Sequence, residues 1–467
     1  MNPILPENEY MPDVEAHVFD GRVYLYGSHD GADAKRFCEN DYVMYSSDIH
    51  DLKNWTYHGI SYRKDQDPHS INEGEVDFYA PDCVKGNDGR YYLYYVAMGP
   101  NTINFGPISV AVADRPEGPF RYYGDVHYKD GSAMKKYLTN DPTILNDSGR
   151  IWLYYGWGLG RDFSNPLLKG WYDFVLSKIT MRSLKEIKET KPSILSCAVC
   201  ELEEDMLTIK EGPKTVLDSK TTADKKDELY HHAFYEAPSI RRFKDLYYLV
   251  YSSGENNELA YAVSKYPDHG FKCKGAIISN ADLGYQGNRQ PKNNASTIHG
   301  SIECINGTYY VFYHRATNNT DYSRQVCMER IDIKEDGSID QVEMTSSGIE
   351  DTLKGKGSYS AGICCNLITP KPIRIGLGKQ QKLPRIAQKN DRLYLADLSE
   401  GTKAVYKYFD LSETESMKVI YEGDAQLSVN GILLDQNREV RSNKERHSVI
   451  TIEVAKGNCD IYRIEFR

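Results

Sequence analysis

The sequence predicts an all-β protein in which a five-bladed β-propeller precedes a β-sandwich, and three observations support this prediction. A segment with a turn residue followed by aromatic and aliphatic positions occurs five times: GRVYLYGSHD, GRYYLYYVAM, GRIWLYYGWG, DLYYLVYSSG and GTYYVFYHRA, starting at positions 21, 89, 149, 245 and 307. A second pair of strand-like runs, with Pro, Asp or Gly between them, follows each copy. After position 341 the segment does not recur, and short alternating runs replace it.

The repeated segment has no polar alternation, which is typical of a strand that is buried on both faces inside a packed blade. Four strands for each of five copies predict a propeller over residues 1–345. The equivalent aromatic positions are separated by 68, 60, 96 and 62 residues; they are Tyr24, Tyr92, Trp152, Tyr248 and Tyr310.

The long interval of 96 residues indicates an insertion in blade three, over residues 159–192. It contains Trp171 and Tyr172 and a predicted short helix from Leu184 to Thr190. Because it joins the second and third strands, it should emerge on the face where the innermost strands begin. It then either forms a specificity wall beside the pocket or braces blade three.

The C-terminal part, residues 346–467, has strand runs such as DRLYLADL, KAVYKYFDL, MKVIYEG and SVITIEVAKGNCDIYRIEF. Short alternating strands at this spacing predict a β-sandwich, with a linker and a first strand in residues 346–380.

Charge and composition exclude some functions. The net charge is −10 and no basic block occurs, so a nucleic-acid partner is not expected. The start, MNPILPENEY, lacks the charged and apolar regions of a signal peptide, and no run of about 18 apolar residues occurs. The sequence therefore predicts a soluble, cytoplasmic protein with no membrane partner; it does not indicate the oligomeric state.

A polar residue lies seven to nine positions before each repeated segment, at Asp13, Asp82, Asp141, Glu236 and His299. The first strand of every propeller blade lines the central channel, so these side chains should surround one pocket. Asp82 is one residue off the common spacing, which favours a structural role for it. Alternation places Asp13, Glu15 and His17 on one face of their strand.

The flanks of Glu236 are apolar, in the sequence FYEAPSI, and desolvation there would raise the pKa of its carboxyl group. A general acid needs such a pKa near neutral pH. Two or three carboxylates in one pocket, one of them in an apolar niche, are the chemistry of glycosidic bond hydrolysis.

The order of motifs resembles glycoside hydrolase family 43, whose members are inverting five-bladed propeller enzymes. The motifs are PDVEAHVF, YAPD, NDPTIL, FYEAPSI and IHGSIECINGTYYVFYHR, each with its repeated segment. The resemblance implies that Asp13 is the general base, Glu236 the general acid and Asp141 the residue that tunes and orients the acid. It also implies that His299 lines the axis, where family members often hold a structural calcium ion through one histidine and waters. No cofactor is implied for the chemistry itself.

Two departures from the family pattern concern the pocket. Ala237 follows the acid where glycine is more common, and Tyr79 stands where tryptophan often precedes Ala-Pro-Asp. Tyr79, Asp82, Arg315 and Arg324 are the candidates for substrate binding. For the two arginines, a surface or interblade salt bridge is the structural alternative.

The resemblance implies a hydrolase that removes a terminal pentose, α-L-arabinofuranose or β-D-xylose, from plant-type oligosaccharides. A β-xylosidase or an exo-galactanase-like activity on the same scaffold is the nearest alternative. A retaining fructoside hydrolase and a sugar-binding propeller without catalysis belong to other classes. The C-terminal domain resembles family 6 carbohydrate-binding modules, and it either binds sugar or braces the propeller.

Overall fold

The computed structural model describes residues 1–73, 76–99, 106–134, 136–159, 166–180, 182–255, 257–295, 297–318, 320–370 and 384–467.

Five antiparallel sheets, the blades, hold the first nineteen strands in chain order. Blade one contains β1 Glu15–Phe19, β2 Arg22–Tyr26, β3 Tyr42–Asp48 and β4 Thr56–Tyr62. Blade two contains β5 Asp77–Lys85, β6 Tyr91–Met98, β7 Ile108–Ala113 and β8 Arg121–Asp125. Blade three contains β9 Thr143–Asp147, β10 Arg150–Gly156, β11 Ser196–Leu202 and β12 Ile209–Asp218. Blade four contains β13 Phe234–Phe243, β14 Leu246–Ser253, β15 Glu258–Ser264 and β16 Lys272–Ser279. Blade five contains β17 Ile302–Ile305, β18 Thr308–Asn318 and β19 Thr320–Ile331.

The repeated segment forms the second strand of every blade, as the sequence predicts. Every residue of β6 is buried, which agrees with the lack of polar alternation. The aromatic side chains pack between neighbouring blades; Tyr24 and Tyr91, for example, belong to one cluster shared by blades one and two. The five-bladed all-β architecture is therefore confirmed.

The prediction of four strands in blade five is wrong, because its sheet has three in the part of the chain that the structure describes. After β19 a tight turn closes between Lys334 and Ser338, and only an isolated bridge between Ile333 and Ile339 follows. The N-terminal residues cover the outer edge instead. Ile4 donates its backbone N–H to Val326 at 3.1 Å, and the Asn2 side chain bonds the backbone of Met328.

The blade-three insertion contains two helices, α2 Pro166–Ile179 and α3 Leu184–Glu189. The predicted short helix is α3, which Ser183 caps by accepting the N–H of Glu186. The sequence did not predict α2. Leu176 of α2 and Ile187 of α3 pack with Leu138, Ile194 and Leu195 in a small apolar cluster.

Other helical segments are short. They are α1 Pro68–Glu73 and α4 Glu228–His231, with single 3-10 turns at Lys64–Gln66, Tyr285–Gly287 and Ala361–Ile363. No helix among the described residues is both long and apolar enough to cross a membrane.

The remaining strands form two sheets that enclose one apolar core, which agrees with the predicted sandwich. They are β20 Leu353–Lys354, β21 Gly357–Ser360, β22 Asn366–Ile368, β23 Arg385–Lys389, β24 Arg392–Ser399, β25 Lys403–Asp410, β26 Ser416–Gly423, β27 Gln426–Val429, β28 Ile432–Leu433, β29 Glu439–Arg441, β30 Ser448–Lys456 and β31 Asn458–Phe466. The propeller strands end at Ile331 and the sandwich strands begin at Leu353, so the boundary between residues 345 and 346 stays a prediction. The predicted linker and first strand hold β20, β21 and β22, and residues 371–380 lie outside the described part.

The sandwich packs directly on blades four and five. Cys365 belongs to the same buried cluster as core residues of those blades. Asn293 donates to the carbonyl of Cys365 at 2.9 Å and accepts the N–H of Leu367 at 2.9 Å. The sandwich therefore braces the propeller through a packed, hydrogen-bonded contact.

Candidate active site

A cavity of about 340 Å³ opens where the first strands of the blades begin. Six of the eight predicted site residues line it: Asp13, Tyr79, Asp141, Glu236, His299 and Arg324. Its volume is at the small end of the usual range for ligand pockets, roughly 300 to 1,000 Å³.

Strand register explains how five different blades deliver side chains to one place. Five residues in or directly before the first strands pair with the same position of the repeated segment: Glu15 with Tyr26, Asp82 with Tyr94, Thr143 with Tyr154, Ser239 with Val250 and Ser301 with Phe312. We call these five residues the inner ring. Asp13, Asp141 and His299 precede inner-ring residues by two positions, and Glu236 precedes one by three.

The prediction that Asp82 contacts substrate conflicts with its position in the inner ring. Asp82 does not line the cavity, and its side chain is fully buried. It accepts hydrogen bonds from Thr143 Oγ1 at 2.7 Å and from the backbone of Cys83 and Ile144, and His17 Nε2 lies 2.6 Å from its Oδ1. The spacing of seven residues reflects this different level of the blade, and Asp82 joins blades one, two and three.

Arg315 also lies outside the cavity, against the prediction. Its side chain is buried where the propeller meets the sandwich, and Nη2 donates to the carbonyl of Cys364 at 2.9 Å. Side chains alternate along a strand, so Arg315 points away from the pocket that its neighbour His314 lines.

Asp13, the predicted base, is held by a cationic partner. Its backbone has φ of 57°, and Arg324 Nη1 donates to its Oδ1 at 2.8 Å. His314 Nδ1 lies 3.1 Å from the same oxygen. Burial raises the pKa of the Asp13 carboxyl group, but the Arg324 guanidinium, His314 and His299 together outweigh burial and hold the pKa well below its usual range. Asp13 is therefore ionised at neutral pH.

Arg324 is itself fixed by residues that the sequence did not single out. Asp30 accepts from Arg324 Nε at 2.8 Å and from Nη2 at 3.1 Å, in the bidentate geometry that suits a guanidinium. The guanidinium carbon also lies 4.5 Å from the centre of the Phe37 ring. Asp30 and Phe37 lie in the connection between β2 and β3, and the spacing of the repeats does not locate residues in such connections.

Glu236, the predicted acid, has the opposite tendency. Burial, followed by the charge of Asp13, raises the pKa of its carboxyl group to about 7, although a hydrogen bond from Trp157 lowers it. Burial and the neighbouring Glu236 also raise the pKa of Asp141. Because each negative charge disfavours the other, the pair retains a proton near neutral pH.

The backbone after Glu236 connects the two carboxyl groups. Ala237 has φ of 60°, and its N–H donates to Asp141 Oδ2 at 3.1 Å. This left-handed conformation favours glycine, the residue more common in the family, and costs alanine about 1 kcal/mol. The departure from the family pattern therefore retains the geometry at a small cost in strain.

Four aromatic side chains form part of the cavity wall. Tyr79, Phe37, Trp157 and Tyr235 line it, and the rings of Trp157 and Tyr235 are 6.0 Å apart. Such flat apolar faces suit the C–H faces of a sugar ring. Trp157 and His314 lie within or directly after repeated segments, so a comparison of polar and aromatic residues at the ends of the five copies could have identified them.

A cation site is compatible with the residues on the axis. Glu15, His17 and Asp82 each offer one ligand atom within 4.8 Å of the others. Glu15 Oε1 is buried, makes no hydrogen bond among the described residues and lies 4.0 Å from His299 Nε2. Burial lowers the pKa of His299 to about 4, so its imidazole is neutral and able to bind a cation.

Comparison with known proteins agrees with this geometry. The profile of Glycosyl hydrolases family 43 matches residues 1–339. A xylosidase/arabinosidase of Thermoclostridium stercorarium is 40% identical over 440 residues, which cover 90% of this chain and 85% of that protein. A xylosidase/arabinosidase 43A of Humicola insolens is 29% identical over 73% of this chain and 98% of its own length.

Solved structures show the same fold. A GH43_1 enzyme of Xanthomonas citri complexed with xylotriose has a TM-score of 0.54 at 26% identity, covering 73% of this chain and 93% of that one. A family 43 arabinoxylan arabinofuranohydrolase of Bacillus subtilis covers 100% of this chain and 97% of its own, with a TM-score of 0.52 at 18% identity, and supports the fold alone.

The profile match, the 40% identity to a relative along nearly the whole chain and the carboxylate pocket on the propeller axis agree with one another. The predicted glycosidase is thereby confirmed: the chain belongs to glycoside hydrolase family 43.

Proposed function

We propose that the protein removes terminal pentose residues, α-L-arabinofuranose or β-D-xylose, from plant-type oligosaccharides with inversion of configuration. One observation carries the mechanism: two carboxyl groups in one cavity prefer opposite protonation states. Arg324, His314 and His299 together keep Asp13 ionised, whereas burial keeps Glu236 protonated near neutral pH. Pairs of carboxyl groups whose pKa values are pushed apart identify the base and the acid.

In this mechanism Asp13 takes a proton from a water molecule, which attacks the anomeric carbon. Glu236 gives its proton to the glycosidic oxygen as the bond to the leaving group breaks. Asp141 accepts the N–H of Ala237 and so holds the backbone next to the acid. Arg324 has one N–H group on Asp13 and lines the cavity, so it orients the base and is available to sugar hydroxyl groups.

The aromatic walls favour binding of a chain end. Tyr79 lies on blade two and Trp157 lies directly after β10 of blade three, and both rings line the cavity, where they can stack on a sugar ring. The names of the curated relatives, xylosidase/arabinosidase, support a pentose as that sugar.

A structural calcium ion on the axis is part of the proposal. Glu15 Oε1 and His299 Nε2 are the atoms that would face it, and a carboxylate oxygen suits calcium. When bound, the ion would add positive charge beneath the cavity and stabilise ionised carboxylates there. The catalytic roles of Asp13 and Glu236 do not depend on it.

Side-by-side assays test the substrate. Colour release from p-nitrophenyl α-L-arabinofuranoside and p-nitrophenyl β-D-xyloside should show hydrolysis of at least one pentoside. The ratio of the two kcat/KM values assigns the preferred sugar. No release from either pentoside by a folded protein that cleaves a hexoside would contradict the proposal.

A further inference from the structure

We propose that the exposed face of α2 is an aromatic platform that binds the polysaccharide chain beyond the scissile bond. The platform consists of Leu168, Trp171 and Phe174. This inference rests on the proposed function and extends it, because it assigns a polymeric substrate, such as an arabinose-substituted xylan, to the same site.

These three exposed apolar side chains belong to a single helix. Leu168, Trp171 and Phe174 are 51%, 62% and 49% exposed. Their spacing of three residues places them along one side of the helix, while Leu176 on the other side is buried in the insertion's core. A contiguous exposed apolar face of this kind usually marks an interaction site.

Chain topology places α2 on the face of the propeller where the cavity opens. The first strand of each blade starts at the cavity, so the second strand returns to it and the connection to the third strand lies on that face. Phe37, in the corresponding connection of blade one, lines the cavity. The insertion that carries α2 is the same connection in blade three.

Aromatic contacts extend from the acid to the platform. Tyr235, next to Glu236, lies 6.0 Å from Trp157. Trp157 and Tyr172 pack against the same apolar cluster, and the rings of Tyr172 and Trp171 are 5.9 Å apart. Because Glu236 protonates the oxygen of the leaving group, the side of the cavity next to it is where the rest of the substrate leaves the pocket.

The chemistry of the face favours a neutral sugar chain over other occupants. Lys169 on α2 pairs with Asp173 at 3.0 Å, and the ammonium group of Lys178 lies 5.4 Å from the centre of the Phe174 ring, so the helix carries one cation beside the platform. Three half-exposed side chains supply about 300 Å² of apolar surface, well below the roughly 800 Å² per partner of a stable protein interface. Flat rings with apolar faces are what the C–H faces of a xylan backbone would stack on.

The test compares two substrates and two variants. For Trp171→Ala, kcat/KM on soluble arabinoxylan should fall about fivefold, since stacking on one ring contributes about 1 kcal/mol. Activity on p-nitrophenyl pentosides should not change, because these substrates end at the cavity. Phe174→Ala should show the same selectivity with a smaller loss.

Tyr266→Ala is the matched control. Tyr266 is 55% exposed, but it lies between the third and fourth strands of blade four, on the opposite face of the propeller. This variant should match the wild type on both substrates. Equal loss on both substrates, or no loss on arabinoxylan with Trp171→Ala, would overturn the platform.

Two further readouts separate the possible failures. Electrophoresis in gels containing arabinoxylan should retard the wild type and Tyr266→Ala more than Trp171→Ala, and this does not depend on turnover. If instead Trp171→Ala converts a dimer to a monomer in light scattering, the face is a contact between copies and the proposal is wrong. If the wild type cleaves no pentoside, the proposed function fails, and loss of gel retardation in Trp171→Ala still decides whether α2 binds the polymer.

Discussion

Blades two and four share an Ala-Pro pair and the same local backbone at the edge of the pocket, but the side chains before and after that pair differ. Blade two has Tyr79-Ala80-Pro81-Asp82 and blade four has Glu236-Ala237-Pro238-Ser239. In both, the alanine has positive φ, 33° and 60°. In both, the register skips between the first and fourth residue of the motif, so Tyr79 and Glu236 occupy equivalent places.

The difference between the two blades shows how the scaffold and the chemistry are separated. The bulge aims one side chain into the cavity and another into the inner ring. In blade two, Tyr79 faces the cavity and Asp82 lies in the inner ring. In blade four, Glu236 faces the cavity and Ser239 lies in the inner ring. Residue type at an equivalent position therefore decides the function.

The largest effect should follow from Glu236→Gln. This substitution keeps the shape but removes the proton donor, so kcat should fall by about 10²- to 10⁴-fold. The loss should be smaller for aryl pentosides with acidic phenols as leaving groups, which need less protonation, than for xylo-oligosaccharides. An equal loss on all leaving groups would argue that Glu236 has another role.

The next effect is on stability and concerns the inner-ring residue at the end of each motif. Asp82→Asn should lower the free energy of unfolding by about 2 kcal/mol, because the amide cannot accept all the hydrogen bonds of the buried carboxylate. Ser239→Ala, its counterpart in blade four, loses one bond to Glu15 Oε2 and should cost about 1 kcal/mol. Urea denaturation measures both values. A large change in KM with unchanged stability in Asp82→Asn would restore its role in substrate binding.

Much of this arrangement follows from the sequence, because the repeated segments lie at nearly constant distances from the first strands of the blades. Measuring back from each repeated segment locates the first strand of the blade, and hence Asp13, Asp141, Glu236 and His299. Distance alone cannot distinguish the pocket from the inner ring, which is why Asp82 stood among the substrate-binding candidates although its spacing favoured a structural role. A backbone bulge separates the pocket residues from the inner ring. This bulge depends on φ angles, which the spacing of the repeated segments does not show.

Residues away from the repeats could not be located in this way. Phe37 reaches the cavity, and Asp30 reaches Arg324, from a connection whose path depends on the whole blade. The helix α2 has a stripe of apolar residues, but Gly170 inside it weakens the helical pattern. Strand β19 has no fourth strand beside it, because the N-terminal residues, which are far away in sequence, cover its outer edge.

A smaller effect should result from Tyr79→Ala. Loss of the ring on the blade-two side should raise KM for the pentoside about fivefold, since one aromatic wall contributes of the order of 1 kcal/mol. We expect kcat to change less than KM. Tyr79→Phe keeps the ring and should stay near the wild type, so a similar loss in both variants would mean that the hydroxyl group matters instead.

The smallest effect concerns the pH dependence of the acid. Glu236 must hold its proton to act, so kcat/KM should decline as pH rises through its pKa of about 7. Trp157→Phe removes the hydrogen bond that lowers this pKa, so the decline should move to higher pH by less than one unit. A shift to lower pH would show that the hydrogen bond does not stabilise the ionised acid.

The stereochemistry of the first product tests most directly the claim that Asp13 activates water while Glu236 protonates the leaving group. Proton NMR during early hydrolysis of a β-xyloside or an α-arabinofuranoside resolves the anomeric signals before mutarotation. We predict that the first product to appear is the anomer whose configuration is inverted relative to the substrate. Initial release of the retained anomer would contradict it, because a covalent glycosyl-enzyme would then replace the activated water.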